Sequence, residues 1–157
     1  MNQLYMLVGP VASGKSTWTK NFLKAYPDTV VVSTDDILEE WAERDGITYT
    51  ESFDKYIGAA GKEMNRRVSE AIFKNNDVIW DQTNMTVKAR KRKIKQFKDY
   101  YKTAVVFFVD DEEQKRRLDA RAKATGKFIP QHIVENMAKS YVRPSKEEGF
   151  DKIVDIR

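Results

Sequence analysis

The stretch Gly9-Pro10-Val11-Ala12-Ser13-Gly14-Lys15-Ser16-Thr17 decides how the rest of the chain is read. Two glycines frame four variable residues and a lysine–hydroxyl pair follows, the pattern G-x-x-x-x-G-K-[ST]. Each part has its own physical reason. Glycine lets the backbone turn so that successive N–H groups point at one anion. A helix opening at Lys15 adds the partial positive charge of its N-terminus. The Lys15 ammonium adds a full charge, and the Ser16 hydroxyl suits Mg²⁺, a hard cation that prefers oxygen. Gly9, Ala12, Ser13, Gly14, Lys15, Ser16 and Thr17 are therefore expected to cradle the phosphates of a nucleotide.

The flanks supply the context this motif requires. Gln3 to Val8 is an apolar run that reads as a strand. Trp18, Phe22 and Ala25 then recur at helical spacing until Pro27-Asp28 stops them. The alternation continues, with strands expected at 29–33, 77–81, 103–110 and 151–156 and helices at 35–44, 86–101, 111–123 and 130–142. Phe53, Ile57, Ala60, Met64, Val68, Ala71 and Ile72 form one apolar stripe of a further helix. Segments 48–51 and 144–149 read as loops. The strands are apolar along their length, as strands buried on both faces are, and the connections are long enough for crossovers. The reading is an α/β fold with a parallel sheet and helices on both faces.

Composition agrees and narrows the class. The 157 residues suit a single domain spanning 1–157, large enough to bury its own core. Without cysteine, disulfides and thiolate metal sites are excluded. The longest apolar runs are too short to span a bilayer, and Met1 to Val8 lacks the pattern of a leader peptide. A cytoplasmic protein without membrane contact is expected, in the host cytoplasm if its source is viral. The net charge of +4 suits an anionic ligand without demanding one.

In open parallel sheets ligands sit beyond the carboxyl ends of the strands. Three strands end there in carboxylates: Ser33-Thr34-Asp35-Asp36, Asp81-Gln82-Thr83-Asn84 and Asp110-Asp111. Helix capping explains Asp110 and Asp111 and is open to Thr83 and Asn84. Ser33 or Thr34 can cap the helix after the second strand, which leaves Asp35 free to orient an acceptor hydroxyl and take its proton. Asp81 is expected beside Lys15 or at the acceptor. Lys115, Arg116, Arg117, Arg121, Lys123 and Lys127 crowd the segment around Gly126. Segment 112–129 is thus a candidate lid, with Arg121 the foremost phosphate contact and Arg117 and Lys123 behind it. Six cations lie between Lys88 and Lys95, too many for one helix face, so part of them is a solvated surface. His132 reads as an exposed polar residue.

Taken together, these residues resemble the 5′-hydroxyl polynucleotide kinases of bacteriophages and animals. The likeness rests on Ser16-Thr17-Trp18 after the cradle, on Asp35, on Asp81-Gln82-Thr83-Asn84, on Glu43-Arg44-Asp45 with Tyr49-Thr50, and on Ile129-Pro130, Tyr141 and Glu148-Gly149-Phe150. It implies a fold of the P-loop NTPase type with strand order 2-3-1-4-5. It implies ATP, or another NTP, with Mg²⁺ held by Ser16, and transfer of the γ-phosphate to the 5′-hydroxyl of DNA or RNA in nucleic acid repair. Asp35, Lys15 and Arg121 would be the catalytic set, with Arg44, Asp81 and Asn84 joining Asp35 at the acceptor.

Two departures stand out. Where the bacteriophage enzyme brackets its base with arginines, this chain has Thr34 and Leu38, so another group, such as Arg44 or the start of the basic helix, must clamp the acceptor phosphate if anything does. There is also no Asp-x-Asp-Gly-Thr nucleophile of the companion phosphatase domain, so a kinase alone is expected. A kinase for the hydroxyl of a sugar, nucleoside or drug, and a nucleotide-binding module without catalysis, remain the alternatives.

Overall fold

Strand β1 (Gln3–Val8) runs up the middle of a five-stranded sheet, with β3 (Val78–Trp80) and β2 (Val30–Val32) on one side and β4 (Tyr101–Phe107) and β5 (Lys152–Ile156) on the other. All neighbours are parallel and the order is β2-β3-β1-β4-β5. The computed structural model describes residues 1–157. Helices α1 (Lys15–Ala25), α2 (Thr34–Asp45), α3 (Tyr49–Phe73), α4 (Val87–Gln96), α5 (Asp111–Thr125) and α6 (Gln131–Ser140) connect the strands, and a single 3-10 turn, Lys146–Glu148, precedes β5.

The register explains the continuous apolar strands. Leu4 pairs with Val78 and Met6 with both Trp80 and Ala104, and these side chains share one face. That face packs on Ile37 and Leu38 of α2, on Ala60, Met64 and Val68 of α3, and on Ile94 of α4. Leu7, Ile79, Val105 and Phe107 point to the other face, where Trp18 and Phe22 of α1 cover them. Both faces of the central strands are covered, so alternation is lost and their middle positions read as apolar, while edge strand β5 keeps the exposed Lys152 and Asp155. Fully buried side chains such as Trp80 each contribute about 1.5–3 kcal/mol by leaving water.

Several boundaries differ from the sequence reading. Segment 48–51 is not a loop, because Thr48 and Glu51 form a reciprocal capping box and α3 starts at Tyr49. Helix α4 stops at Gln96 rather than running to Tyr101, which opens β4. Phe97 and Tyr100 pack edge to face in the intervening turn, so a helix-like spacing of aromatics continues where the helix has ended. Beyond these, β4 starts earlier than expected and ends at Phe107.

The basic stretch of α4 is also less exposed than charge alone suggests. Arg90 is fully buried, its guanidinium forked onto Glu148 at 2.8 and 3.1 Å and donating to the Asn84 carbonyl at 2.9 Å. The Lys93 ammonium donates to Asn84 Oδ1 and to Gln82 Oε1, and burial lowers its pKa to about 8. Lys88, Lys91, Arg92 and Lys95 face solvent. Two of the cations therefore brace the loop after β3 from behind. No helix is long and apolar enough to cross a membrane.

Candidate active site

The carboxyl ends of β1, β2 and β3 open into a cleft of about 1840 Å³. Its floor is the loop between β1 and α1. Gly9 is required there because a Cβ would stand 2.8 Å from Phe107 Cβ. Gly14 caps α1 at φ 101, a conformation that disfavours any other residue. Ala12 has φ 59, and Asn84 across the cleft has φ 49. Non-glycine residues in this region store strain, and both of these line the cleft. The buried Ser13 hydroxyl has no hydrogen-bond partner. A buried polar atom left unpaired in an open cradle is the feature expected of a loop that closes on an anion. Lys15 lies along the floor, its Nζ donating to the Gly9 carbonyl at 2.8 Å. Burial lowers its pKa to about 8, with Asp81 and Asp35 acting against the shift and Arg121 and Lys127 adding to it.

The second wall is carboxylate-rich. Ser33 caps α2 by accepting from the Asp36 N–H, which settles the choice between Ser33 and Thr34. Asp35 is left free of capping and faces the cleft with its side chain 58% exposed. The Tyr49 hydroxyl donates to its Oδ1 at 2.5 Å, and the Lys127 ammonium stands 3.5 Å from Oδ2. Lys127 also pairs with Glu39 at 3.2 Å and lies 4.2 Å from the centre of the Tyr49 ring, with its side chain 11% exposed. Burial and the Asp35 carboxylate push the Tyr49 phenol above its ordinary range. Burial first, then Asp81 and Glu39, raises the Asp36 carboxyl to about 6. Asp81 is also raised, by burial ahead of the opposing charge of Lys15 and the reinforcing charge of Asp35. Lys15, Asp35 and Asp81 all line this one cleft.

The lid segment divides its cations. Arg117 is half spent, donating to the Ala12 carbonyl at 3.0 Å and to Glu113 at 2.8 Å, and with Gln114 on the Val11 carbonyl at 3.0 Å it holds the phosphate loop from α5. Arg121 lines the cleft with no ion pair of its own, and its charge reaches Lys15 and Tyr49. Lys123 is exposed and does not line the cleft, contrary to expectation, because it lies on the outward side of α5. Asp110 caps α5, as capping preference indicates.

Two acceptor residues are corrected. Arg44 lies in the last turn of α2, bonded to Asp45 and set against the rings of Trp41 and Tyr56, and it does not reach the cleft. Nine residues of helix carry it about 13 Å along the axis from Asp35. Asn84 is 2% exposed, its amide donating to the Leu7 carbonyl at 2.8 Å and its oxygen accepting from Lys93. It pins the loop after β3 to β1, and a buried amide with both ends in use has no group free for an acceptor. Leu38 is in the hydrophobic core, and Thr34 accepts from Gln82 Nε2 at 2.6 Å. Neither position offers a cation. Sequence reasoning gave Tyr49 and Lys127 no role at Asp35. The capping box places Tyr49 one residue into α3, and that box was the available signal.

A phosphate cradle on the first strand of a 2-3-1-4-5 parallel sheet, with a carboxylate facing its lysine and an arginine-bearing helix alongside, defines a P-loop kinase domain. The chain belongs to the AAA domain family, which it matches over residues 4–144. It is 26% identical over 157 residues to heterogeneous nuclear ribonucleoprotein U-like protein 2 of Mus musculus, covering 96% of this chain and 21% of that protein. The chain thus spans about a fifth of the curated relative's length. Among solved structures it is similar to a chain of the Pnkp1/Rnl/Hen1 RNA repair complex, at 26% identity and TM-score 0.70 over 88% of this chain and 43% of that one. A gluconokinase from Sinorhizobium meliloti shares the fold, at 16% identity and TM-score 0.59 over 98% of this chain and 81% of that one.

Proposed function

We propose that the chain is an ATP-dependent polynucleotide 5′-hydroxyl kinase acting on the ends of DNA or RNA. The observation that carries the reading is the meeting of Asp35, Lys15 and Arg121 in one cleft above the phosphate loop. The similarity to a chain of an RNA repair complex supports a nucleic acid acceptor. Residues 1–157 would form the catalytic domain, with 112–129 as its lid.

The acceptor oxygen attacks the γ-phosphorus in line, the bond from that phosphorus to the β,γ-bridging oxygen breaks, and ADP departs. Asp35 accepts the hydroxyl proton, as a carboxylate can where the transition state is loose and the work is positioning. Loop N–H groups, the Ser13 hydroxyl and Lys15 hold the β- and γ-phosphates, and Arg121 meets the charge on the transferring group. Gly9, Ala12, Gly14 and Thr17 shape this cradle, and Arg117 steadies it through Ala12. The Ser16 hydroxyl, exposed at the head of α1 and lining the cleft, would hold Mg²⁺, with Asp36 and Asp81 of the same cleft as candidates for its water shell. When bound, that ion neutralises phosphate charge.

A second reading, a kinase for a small-molecule hydroxyl, is favoured by one observation: the carboxylates Asp35, Asp36, Glu39, Glu43, Asp54 and Asp81 all line the cleft, which suits an uncharged acceptor. Terminally labelled ATP offered with 5′-hydroxyl oligonucleotides and, separately, with nucleosides, sugars and sugar acids separates the readings. Label is expected on the oligonucleotide. Transfer to a nucleoside, sugar or sugar acid with none to the oligonucleotide rejects the proposal, and absence of any transfer leaves a binding module.

A further inference from the structure

The part of the cleft beyond Asp35 has an unusual lining for a site that receives a polyanion. Five carboxylates, Asp35, Asp36, Glu39, Glu43 and Asp54, line it beside two lysines, Lys93 and Lys127. Both are occupied, Lys93 by the Gln82 and Asn84 side-chain oxygens and Lys127 by Asp35 and Glu39. The positions where the resembled bacteriophage enzyme carries clamp arginines hold a threonine tied to Gln82 and a core leucine. Arg121 and Arg157 line the cleft without an ion pair but belong to the donor wall, so neither lysine beside Asp35 is left over for a backbone phosphate.

What the same region does offer is exposed ring and alkyl surface. Tyr49, Phe53 and Ile57 follow one another at four-residue spacing, so they form a single face of α3 starting at the Asp35 hydrogen bond. The Tyr49 and Phe53 rings are 6.3 Å apart, and Phe53 and Ile57 are each 42% exposed. Phe128, 68% exposed, and Ile133, 40% exposed, line the same cleft. Exposed large apolar side chains gathered along a cleft mark a binding surface, whereas single ones scattered on a surface do not. A nucleobase has a flat apolar face whatever its identity, and aromatic stacking holds it without a phosphate contact.

We propose that the acceptor is held by its terminal base, stacked between the Phe53 face of α3 and Phe128 of the lid segment, with the neighbouring phosphate left in solvent. The inference rests on the reading of the acceptor as a nucleic acid end and adds how that end is recognised. Tyr49 touches both the Phe53 ring and the Asp35 carboxylate, so a base stacked there would bring the 5′-hydroxyl to Asp35. The carboxylates on the rim would then disfavour any pose that draws the backbone inward. The acceptor step would therefore be insensitive to salt and indifferent to the length of the strand.

The test measures kcat and KM of the whole chain on four acceptors: a 5′-hydroxyl oligonucleotide, a dinucleoside monophosphate, a free nucleoside, and an oligonucleotide whose 5′-terminal sugar carries no base. The first three are expected to share KM within about tenfold, and the baseless end to lose most of its turnover, on the scale of stacking energies. Between about 50 and about 300 mM salt the logarithm of acceptor KM should stay flat, where one clamped phosphate on a single strand gives a slope of magnitude about 0.7. Phe53→Ala and Phe128→Ala should each raise acceptor KM by about 5- to 100-fold with the nucleotide KM unchanged, and Phe53→Trp should restore it. These side chains are exposed, so the variants are expected to stay folded, which thermal melting checks. A baseless end phosphorylated as well as a normal one, or a KM that rises with salt and with removal of the phosphate, overturns stacking while leaving the kinase reading intact. Failure on all four acceptors overturns the kinase reading itself.

Discussion

The wall around Lys15 and the wall around Asp35 face each other across one cleft and are built from opposite charges. On the donor side Lys15, Arg117, Arg121 and Arg157 line the cavity. On the acceptor side stand Asp35, Asp36, Glu39, Glu43 and Asp54, with Asp81 at the border. The donor side is also locally determined: its loop lies between consecutive elements β1 and α1, and its unpaired Ser13 hydroxyl and left-handed Gly14 await an anion. The acceptor side is assembled from distant pieces, Asp35 on α2, Tyr49 on α3 and Lys127 beyond α5. The difference teaches where specificity is set. A triphosphate is the same in every such kinase, so its cradle is a short motif. The acceptor varies, so its site is made from elements the motif does not specify.

Perturbing each wall separately tests this division. The largest loss is expected for Arg121→Ala, a fall in kcat of about 10³–10⁵-fold, the scale of an arginine that meets phosphoryl charge. Acceptor KM should hardly change, and a loss confined to acceptor KM would move Arg121 to the other wall. Asp35→Asn is expected to lower kcat by about 10²–10⁴-fold with nucleotide affinity intact, read by turnover beside a nucleotide titration. Near wild-type turnover would reduce Asp35 to a bystander. Tyr49→Phe removes a hydrogen bond to a charged group and should cost about tenfold in kcat, expressed on the acceptor side alone.

The smallest effect is a proton. The Lys15 ammonium is lowered to about 8 by burial, so in the free protein it is partly neutral above that pH. A bound polyphosphate favours the charged form and raises the pKa, so nucleotide binding should take up a fraction of a proton between about pH 8 and 9, and weaken as pH rises further. Calorimetry in two buffers of different ionisation heat measures this, and the uptake should vanish in Lys15→Met. Proton release in that window would contradict the assignment.

How much of this was legible in the residues differs between the two walls. Gly9 to Thr17 between an apolar run and a helical pattern carries the donor side, because each requirement is met within a few residues of chain. The β-strands were legible for a related reason: burial on both faces removes alternation and leaves a plain apolar run. Arg44 and Asn84 were misplaced because residue type tells what a side chain can bind, not whether another group already holds it. Arg44 is taken by Asp45, Trp41 and Tyr56, and Asn84 by Leu7 and Lys93. In the basic run of α4 the solvated part was legible, but not which cations turn inward, since Arg90 and Glu148 lie far apart in the chain and meet only in the fold.

The sequence by itself determined the parallel α/β sheet, the phosphate loop and the freedom of Asp35 from its helix cap, since each depends on neighbours a few positions away. Only the tertiary structure decided which cations remain unpaired, which carboxylates share a wall and which aromatic rings line it. Those outcomes depend on contacts between segments remote in the chain. There Coulomb attraction, desolvation and packing compete for the same side chains, and the backbone path selects the winner.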